Sequence, residues 1–233
     1  MALILHLETS TKVCSVALSE NGIILFSKVD TKGPSHAVEL GLFVDEALKF
    51  VESKDLILDA VSVSSGPGSY TGLRIGVSMA KGLCYGAGVP LIAIPTLDLL
   101  ADEVRRRFAL PENALICPML DARRMEVYTA LYNTENKCLE KANALVVNED
   151  SFSEVLVLHP VWFVGDGSEK CQSKINSSNA HFEKDVYPLA EGMVSLADQA
   201  FKANNFVNVA YFEPYYLKEF VATVSKKQLI PTK

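Results

Sequence analysis

The chain is poor in the residue types that announce a chemistry. It has five cysteines, an odd number with no Cys-x-x-Cys spacing. Cys14, Cys84, Cys117, Cys138 and Cys171 therefore read as free thiols of a reducing compartment. Its four histidines, His6, His36, His159 and His181, are scattered. His36 has Leu40 four residues on, so no His-x-x-x-His pair clamps a metal on one helix face, and no metal site is expected. There is no Gly-x-Ser-x-Gly nucleophile elbow. No apolar run approaches the ~20 residues that span a bilayer, which argues against a membrane span. Met1-Ala2-Leu3-Ile4-Leu5-His6 lacks a basic n-region and reads as a first strand, not a signal peptide, so a cytoplasmic protein is expected. Basic residues are outnumbered, 22 Lys and Arg against 28 Asp and Glu, for a net charge of −6. Strong RNA binding takes clustered Lys and Arg and is not expected of this chain alone. The densest basic cluster, Arg105-Arg106-Arg107, reads as a solvated helix end.

What is present is a globular chain of 233 residues, 49% hydrophobic and 21% charged. That length makes one large domain or two of roughly 100 residues each. Leu3–Leu7, Lys12–Ser19 and Ile23–Asp30 read as a three-stranded meander, with Asn21-Gly22 as a hairpin turn. A helix capped by Ser35 and running to Val51 has a stripe of Leu40, Phe43, Val44, Ala47, Leu48 and Val51. A strand ending at Ser65, a helix over Thr71–Tyr85, a strand over Val89–Ile94 and a helix over Leu97–Phe108 complete the first half. Leu110-Pro111-Glu112-Asn113 reads as a boundary, dividing the chain into residues 1–108 and 109–233. Strands are expected at Leu115–Leu120, Met125–Tyr132, Val161–Val164 and Val186–Ala190. A short helix follows Ser151, another helix spans Gly192–Asn204, and the tail from Ser225 to Lys233 reads as frayed.

The densest signal is Ser65-Gly66-Pro67-Gly68-Ser69-Tyr70-Thr71-Gly72-Leu73-Arg74-Ile75-Gly76. A strand, a glycine-rich turn and a helix start can present backbone N–H groups to an anion. It is neither a Walker loop nor a Rossmann fingerprint, because no Gly-Lys-Ser/Thr follows and Thr71 stands at the third glycine position. In the helix that follows, Gly72, Gly76 and Ala80 share one face. Interior helical glycine costs about 1 kcal/mol against alanine, so close approach of another backbone is the usual reason for it. Two readings stay open: intramolecular packing, and a face bared for a partner. Glu8-Thr9-Ser10-Thr11 puts a carboxylate at a strand end, where it serves turn chemistry or holds a metal-bound water. Asp121-Ala122-Arg123-Arg124 lies in a hairpin of the second half, with arginines that are solvated or pair with an anion. Gly165-Asp166-Gly167 reads as a turn.

Together these segments resemble the TsaB family of tRNA threonylcarbamoyladenosine biosynthesis proteins, glycoprotease-like members of the actin, hexokinase and Hsp70 superfamily. The matching residues are Leu7-Glu8-Thr9-Ser10-Thr11, Cys14-Ser15-Val16-Ala17-Leu18, the Ser65–Gly76 segment, Asp121-Ala122-Arg123-Arg124-Met125-Glu126-Val127-Tyr128 and Glu213-Pro214-Tyr215-Tyr216-Leu217-Lys218. The resemblance implies an α/β fold of two actin-like (ribonuclease H-like) subdomains, each a mixed sheet with helices. It implies a non-catalytic scaffold for TsaD, which threonylcarbamoylates adenosine 37 of tRNAs reading codons that start with A, with the ATPase TsaE as a further partner. Contact with tRNA would be indirect, a homodimer could use the same surface, and ATP and metal would sit on TsaE and TsaD rather than here. The implied partner interface is His36, Leu40, Phe43, Tyr70, Gly72, Leu73, Gly76 and Ala80, and no catalytic residue is implied. Glu8, Thr9, Ser10, Gly66, Gly68 and Ser69 would be a residual phosphate loop. Where phosphate-binding relatives carry Asp-x-Gly, this chain has Asp121-Ala122-Arg123, and Arg123 bars the backbone approach that glycine allows. Glu8 replaces the usual aspartate and sets its carboxylate outward by about 1.5 Å. The rival readings are an ATP-dependent small-molecule kinase using Glu8, and a glycoprotease-like peptidase using Ser69 or Cys84.

Overall fold

The fold is taken from a computed structural model, which describes residues 2–31, 33 and 36–218. The expected Ser35 cap and the expected frayed tail lie outside the described residues. Strands β1 (Leu3–Glu8), β2 (Cys14–Glu20) and β3 (Ile23–Asp30) form the antiparallel meander. Asn21 and Gly22 both take positive φ at its first hairpin, as a two-residue turn requires. Helix α1 (His36–Ser53), β4 (Ala60–Gly66), α2 (Tyr70–Ala87), β5 (Leu91–Pro95) and α3 (Thr96–Arg107) follow. β4 and β5 add in parallel to β1, giving the order β3-β2-β1-β4-β5.

The second lobe repeats that path. Strands β6 (Leu115–Asp121), β7 (Glu126–Asn133) and β8 (Cys138–Val146) form another antiparallel meander. After α4 (Ser153–Leu158), β9 (Val161–Val164) pairs in parallel with β6. After α5 (Ser168–Cys171), β10 (Ala180–Phe182) pairs in parallel with β9. The order β8-β7-β6-β9-β10 is the first sheet's topology run a second time. This is the expected pair of mixed sheets with helices.

β1 is buried along its whole length because both sheet faces are covered. Leu3, Leu5 and Leu7 meet Leu40, Val44, Ala47, Val77 and Ala80 of α1 and α2. Ile4, on the opposite face, meets Leu99 of α3 and Met193 and Ala197 of α6 (Met193–Lys202). α6 therefore packs on the first sheet, although the sequence put all of residues 109–233 in the second unit. The physical reason is coverage. The face turned away from α1 and α2 is apolar, and the chain returns to bury it with α6.

Three other expectations change. The strand expected at Val186–Ala190 is absent. The strand lies earlier, at β10, and Ala190 donates its N–H to the Ser15 side-chain hydroxyl of β2 (2.9 Å) instead of to a strand backbone. A 3-10 turn, Ala190–Gly192, then leads into α6. β8 carried almost no pattern, because as an edge strand it exposes most of its residues and needs no apolar alternation. The Arg105-Arg106-Arg107 cluster is not merely solvated. Buried Asp102 accepts from Arg105 (2.8 Å) and Arg106 (3.1 Å), and Arg107 donates to the Asp185 carbonyl.

Candidate functional site

The glycine-rich segment folds as a strand-turn-helix corner. Ser69 caps α2 by accepting the Gly72 N–H, and Gly88 ends the helix in the left-handed region. The bare face of α2 points inward. Thr9 Oγ1 donates to the Gly72 carbonyl (2.8 Å). A Cβ on Gly72 would collide with the Thr9 carbonyl, and one on Gly76 with the Thr9 hydroxyl. Ala80 is buried in the core under the sheet. The glycines thus admit the chain's own β1–β2 connection, and the expected partner role of Gly72, Gly76 and Ala80 is corrected.

Leu40 and Leu73 are also buried and belong to no outer surface. Phe43 is partly buried against the same core. His36 opens α1, and its side chain lies outside the described residues. Of the expected interface, Tyr70 lies beside the exposed face of α2. It is half-buried, with the Arg74 guanidinium 5.4 Å from its ring and Arg74 Nη1 donating to its hydroxyl (3.2 Å).

The exposed faces of α1 and α2 carry a different set. Val38 (64%), Leu42 (53%) and Leu48 stand out from α1, and Tyr85 (88%) from α2. Thr71, Arg74, Ser78 and Gly82 run along the outer side of α2. A Cβ at Gly41, Gly82 or Gly86 would meet nothing within 4 Å. Interior helical glycine still costs about 1 kcal/mol each, and nothing inside the chain requires it here. The sequence contained this signal, since Gly82 and Gly86 lie four apart beside Tyr85, but periodicity alone did not say which glycine face turns outward.

The cleft end of the first sheet holds the residues expected to form a residual phosphate loop, Glu8, Thr9, Ser10, Gly66, Gly68 and Ser69. Glu8 is fully buried and its Oε1 accepts the Ser10 N–H (2.6 Å). Among the described residues, its Oε2 and the Ser10 and Ser64 hydroxyls have no hydrogen-bond partner within range. Burial pushes the Glu8 carboxyl above its ordinary value, outweighing the Ser10 N–H that favours its charged form. The turn itself is occupied from within. The Ser69 N–H binds the Ser10 carbonyl (2.6 Å), and a Cβ on Gly68 would strike Ser10. The Tyr215 backbone sits against Ser65 and Gly66.

Across the cleft, Arg123 and Arg124 both take positive φ at the β6–β7 turn. Asp121 accepts the Arg123 N–H (2.8 Å) and pairs with Lys170 (2.5 Å). Gly165-Asp166-Gly167 is the turn expected, and it leads straight into α5. Asp166 accepts the Asp121 N–H (3.0 Å), and burial raises its carboxyl above the ordinary range. Lys12 lies 5.4 Å from the centre of the Tyr187 ring. The cavity between Lys12, Asp166 and Tyr187 is about 110 Å³, well below the roughly 300 Å³ at which small-molecule pockets begin.

Of the peptidase candidates, the Ser69 hydroxyl accepts the Gly72 N–H as the α2 cap, and among the described residues no histidine is hydrogen-bonded to it. Cys84 is buried, which pushes its thiol up to about 11 and away from the reactive thiolate. Among the described residues no cluster of three His, Cys, Asp or Glu side chains could hold a metal ion, and no helix is long and apolar enough to cross a membrane.

Comparison with known proteins gives concordant results. The model of the family described as TsaD, tRNA N6-adenosine threonylcarbamoyltransferase, matches residues 31–226. A tRNA threonylcarbamoyladenosine biosynthesis protein TsaB of Escherichia coli is 28% identical over 225 residues, covering 94% of this chain and 96% of the relative. The TsaB of Bacillus subtilis is 34% identical over 138 residues, 59% of this chain and 58% of that one. Among solved structures, an uncharacterized Pseudomonas aeruginosa protein with similarity to peptidase YeaZ superposes with a TM-score of 0.79. It is 25% identical, covering 94% of this chain and all of that one.

Proposed function

We propose that this chain, which belongs to the tRNA N6-adenosine threonylcarbamoyltransferase family and stands with its TsaB members, is a non-catalytic subunit that a TsaD-type transferase needs in order to act. One observation carries the reading: α1 exposes Val38, Leu42 and Leu48, α2 exposes Tyr85, and both helices carry glycines, Gly41, Gly82 and Gly86, with open space at their Cβ positions. Exposed apolar and aromatic side chains grouped around backbone that can be closely approached suit a helix-on-helix interface. The occupant is a TsaD-type chain, and a TsaE-type ATPase joins the assembled pair.

The cleft supports the non-catalytic part. Its residues do not fit a nucleotide. Glu8 faces serines inside the sheet end, the glycine turn is packed against Ser10 and Tyr215, and Arg123 stands where a phosphate would need glycine. ATP and metal therefore belong to the partners. With a net charge of −6, this chain leaves tRNA phosphates to the partner as well. Five free thiols fit action in a reducing compartment such as the cytoplasm.

The test is direct. Mixed with the TsaD-type protein of its own organism, the chain should form a heterodimer in sedimentation velocity. Tyr85→Ala should weaken it at least tenfold, because truncating a central aromatic at an interface costs roughly 2 kcal/mol or more. Self-association of the chain that excludes the TsaD-type protein would turn the reading to a homodimeric module. Modified tRNA formed equally well by TsaD-type and TsaE-type proteins without this chain would end it.

A further inference from the structure

After α6 the chain does not stop at the surface. Residues 205–218 cross the first lobe as an irregular strap, with a turn at Asn208–Phe212 closed by the Phe212 N–H on the Asn208 carbonyl (2.8 Å). The Val207 N–H bonds the Leu91 carbonyl (2.9 Å) at the open edge of β5. Val207, Val209 and Phe212 pack into the core that α1 and α2 cover. Lys81, on α2, donates to the Ala210 carbonyl (3.1 Å) and the Phe212 carbonyl (3.0 Å). A single strap has no strand on its outer side, and a lysine ammonium supplies donors for carbonyls that would otherwise find only water.

Further along, the Tyr215 N–H bonds the Ser65 carbonyl (2.7 Å), and the Tyr215 carbonyl fills the place where a Cβ on Gly66 would go. The Tyr216 ring packs on Tyr70 with centroids 4.8 Å apart. Lys218 then reaches Glu126 on β7, in the other lobe. Beyond the packing of Val207, Val209 and Phe212, the anchors fall on α2, on the end of β4 and the turn after it, on the β5 edge and on the second lobe. The strap's outward residues Tyr211, Glu213 and Tyr215 are exposed, so its inner side alone is committed.

We propose that this strap is a latch: while seated it fixes the Ser65–Ser69 turn and the first turn of α2, and it ties that end of the helix to the second lobe. The latch holds Tyr70 and Arg74 in place at the start of the helix face described above. Its effect on a partner rests on the docking reading; the latch itself does not. Lys81, Tyr70 and Tyr216 act as positioning residues.

Amide hydrogen exchange on the full chain tests this. The variants are Lys81→Met, which keeps the stem but removes the donors, Tyr216→Ala, which removes the ring packed on Tyr70, and Lys81→Arg as the conservative control. The Val207 and Tyr215 amides should be protected in the unaltered chain and exchange at least tenfold faster in Lys81→Met and Tyr216→Ala. The Ser69 and Leu73 amides should accelerate with them, β1 amides should not, and Lys81→Arg should stay near the unaltered chain. Faster strap exchange with Ser69 and Leu73 unchanged would overturn the proposal, as would a strap unprotected from the start. In the heterodimer assay, Lys81→Met should lose about tenfold in affinity, and a released strap with undiminished affinity would count against the latch's role. A wild-type chain that does not bind the TsaD-type protein breaks the docking reading alone, because the exchange pattern still decides the latch.

Discussion

His6 shows how one residue's environment is set by the sheet it sits in. It lies in the middle of β1 and is fully buried. Its Nδ1 and Nε2 each lie 2.7 Å from a serine hydroxyl, Ser62 and Ser19, and the Ser62 hydroxyl donates to Met193 sulfur (3.7 Å). With the Ser62 proton on sulfur, Nδ1 carries the imidazole proton and Nε2 accepts from Ser19. Burial lowers the His6 pKa to about 3. The folded value lies below the unfolded one, so the unfolded chain binds the extra proton between about pH 6.5 and 3. Stability is full above that window and falls through it as the pH drops, by about 1.4 kcal/mol per pH unit at the steepest. Urea melts from pH 7 to pH 4 should show this slope, and His6→Gln should flatten it. An unchanged slope in the variant would assign acid sensitivity to other groups.

At the scale of the element, α2 carries two glycine faces with opposite meanings. Gly72 and Gly76 press on Thr9, whereas Gly82 and Gly86 look into open space. Gly76→Leu should destabilise the chain by about 1–3 kcal/mol or more through overpacking. Gly82→Leu should leave the melting temperature the same or higher, since it removes a poor helix former, while weakening the heterodimer. Equal stability losses in both variants would refute this division. The helix itself was legible from its periodicity; its Ser69 cap and its end at Gly88 came from the structure. Which glycines faced in was not legible, because that depends on where Thr9 arrives, and Thr9 is 63 residues from Gly72. β8 and β10 were missed for a related reason. An edge strand and a three-residue strand bury too little to imprint a period-two pattern.

For the whole molecule, the question is whether the twice-used β-meander fold still serves a ligand in its cleft. Glu8 gives the sharpest test. Its carboxyl is raised by burial, so its stabilising contribution is full below the ordinary carboxylate range and is lost as the pH rises through the raised folded value. Glu8→Gln, close in shape to the protonated acid, should therefore be neutral or stabilising at pH 8. It should also support tRNA modification by the TsaD-type and TsaE-type partners as well as the unaltered chain does. Loss of that support with an intact fold and heterodimer would restore a chemical role for Glu8 and revive the kinase reading.

The amino-acid order alone determined the first meander, the alternation of strands and helices through Phe108, and the family to which the chain belongs. These rest on local periodicity, turn residues and contiguous motifs, all carried by neighbours in the chain. Tertiary structure alone decided that α6 covers the first sheet, that the bare face of α2 receives Thr9, and that residues 205–218 strap the glycine turn. Each of those is a contact between residues more than sixty positions apart, and such contacts are settled by which surfaces must be buried together, a property no short window of sequence contains.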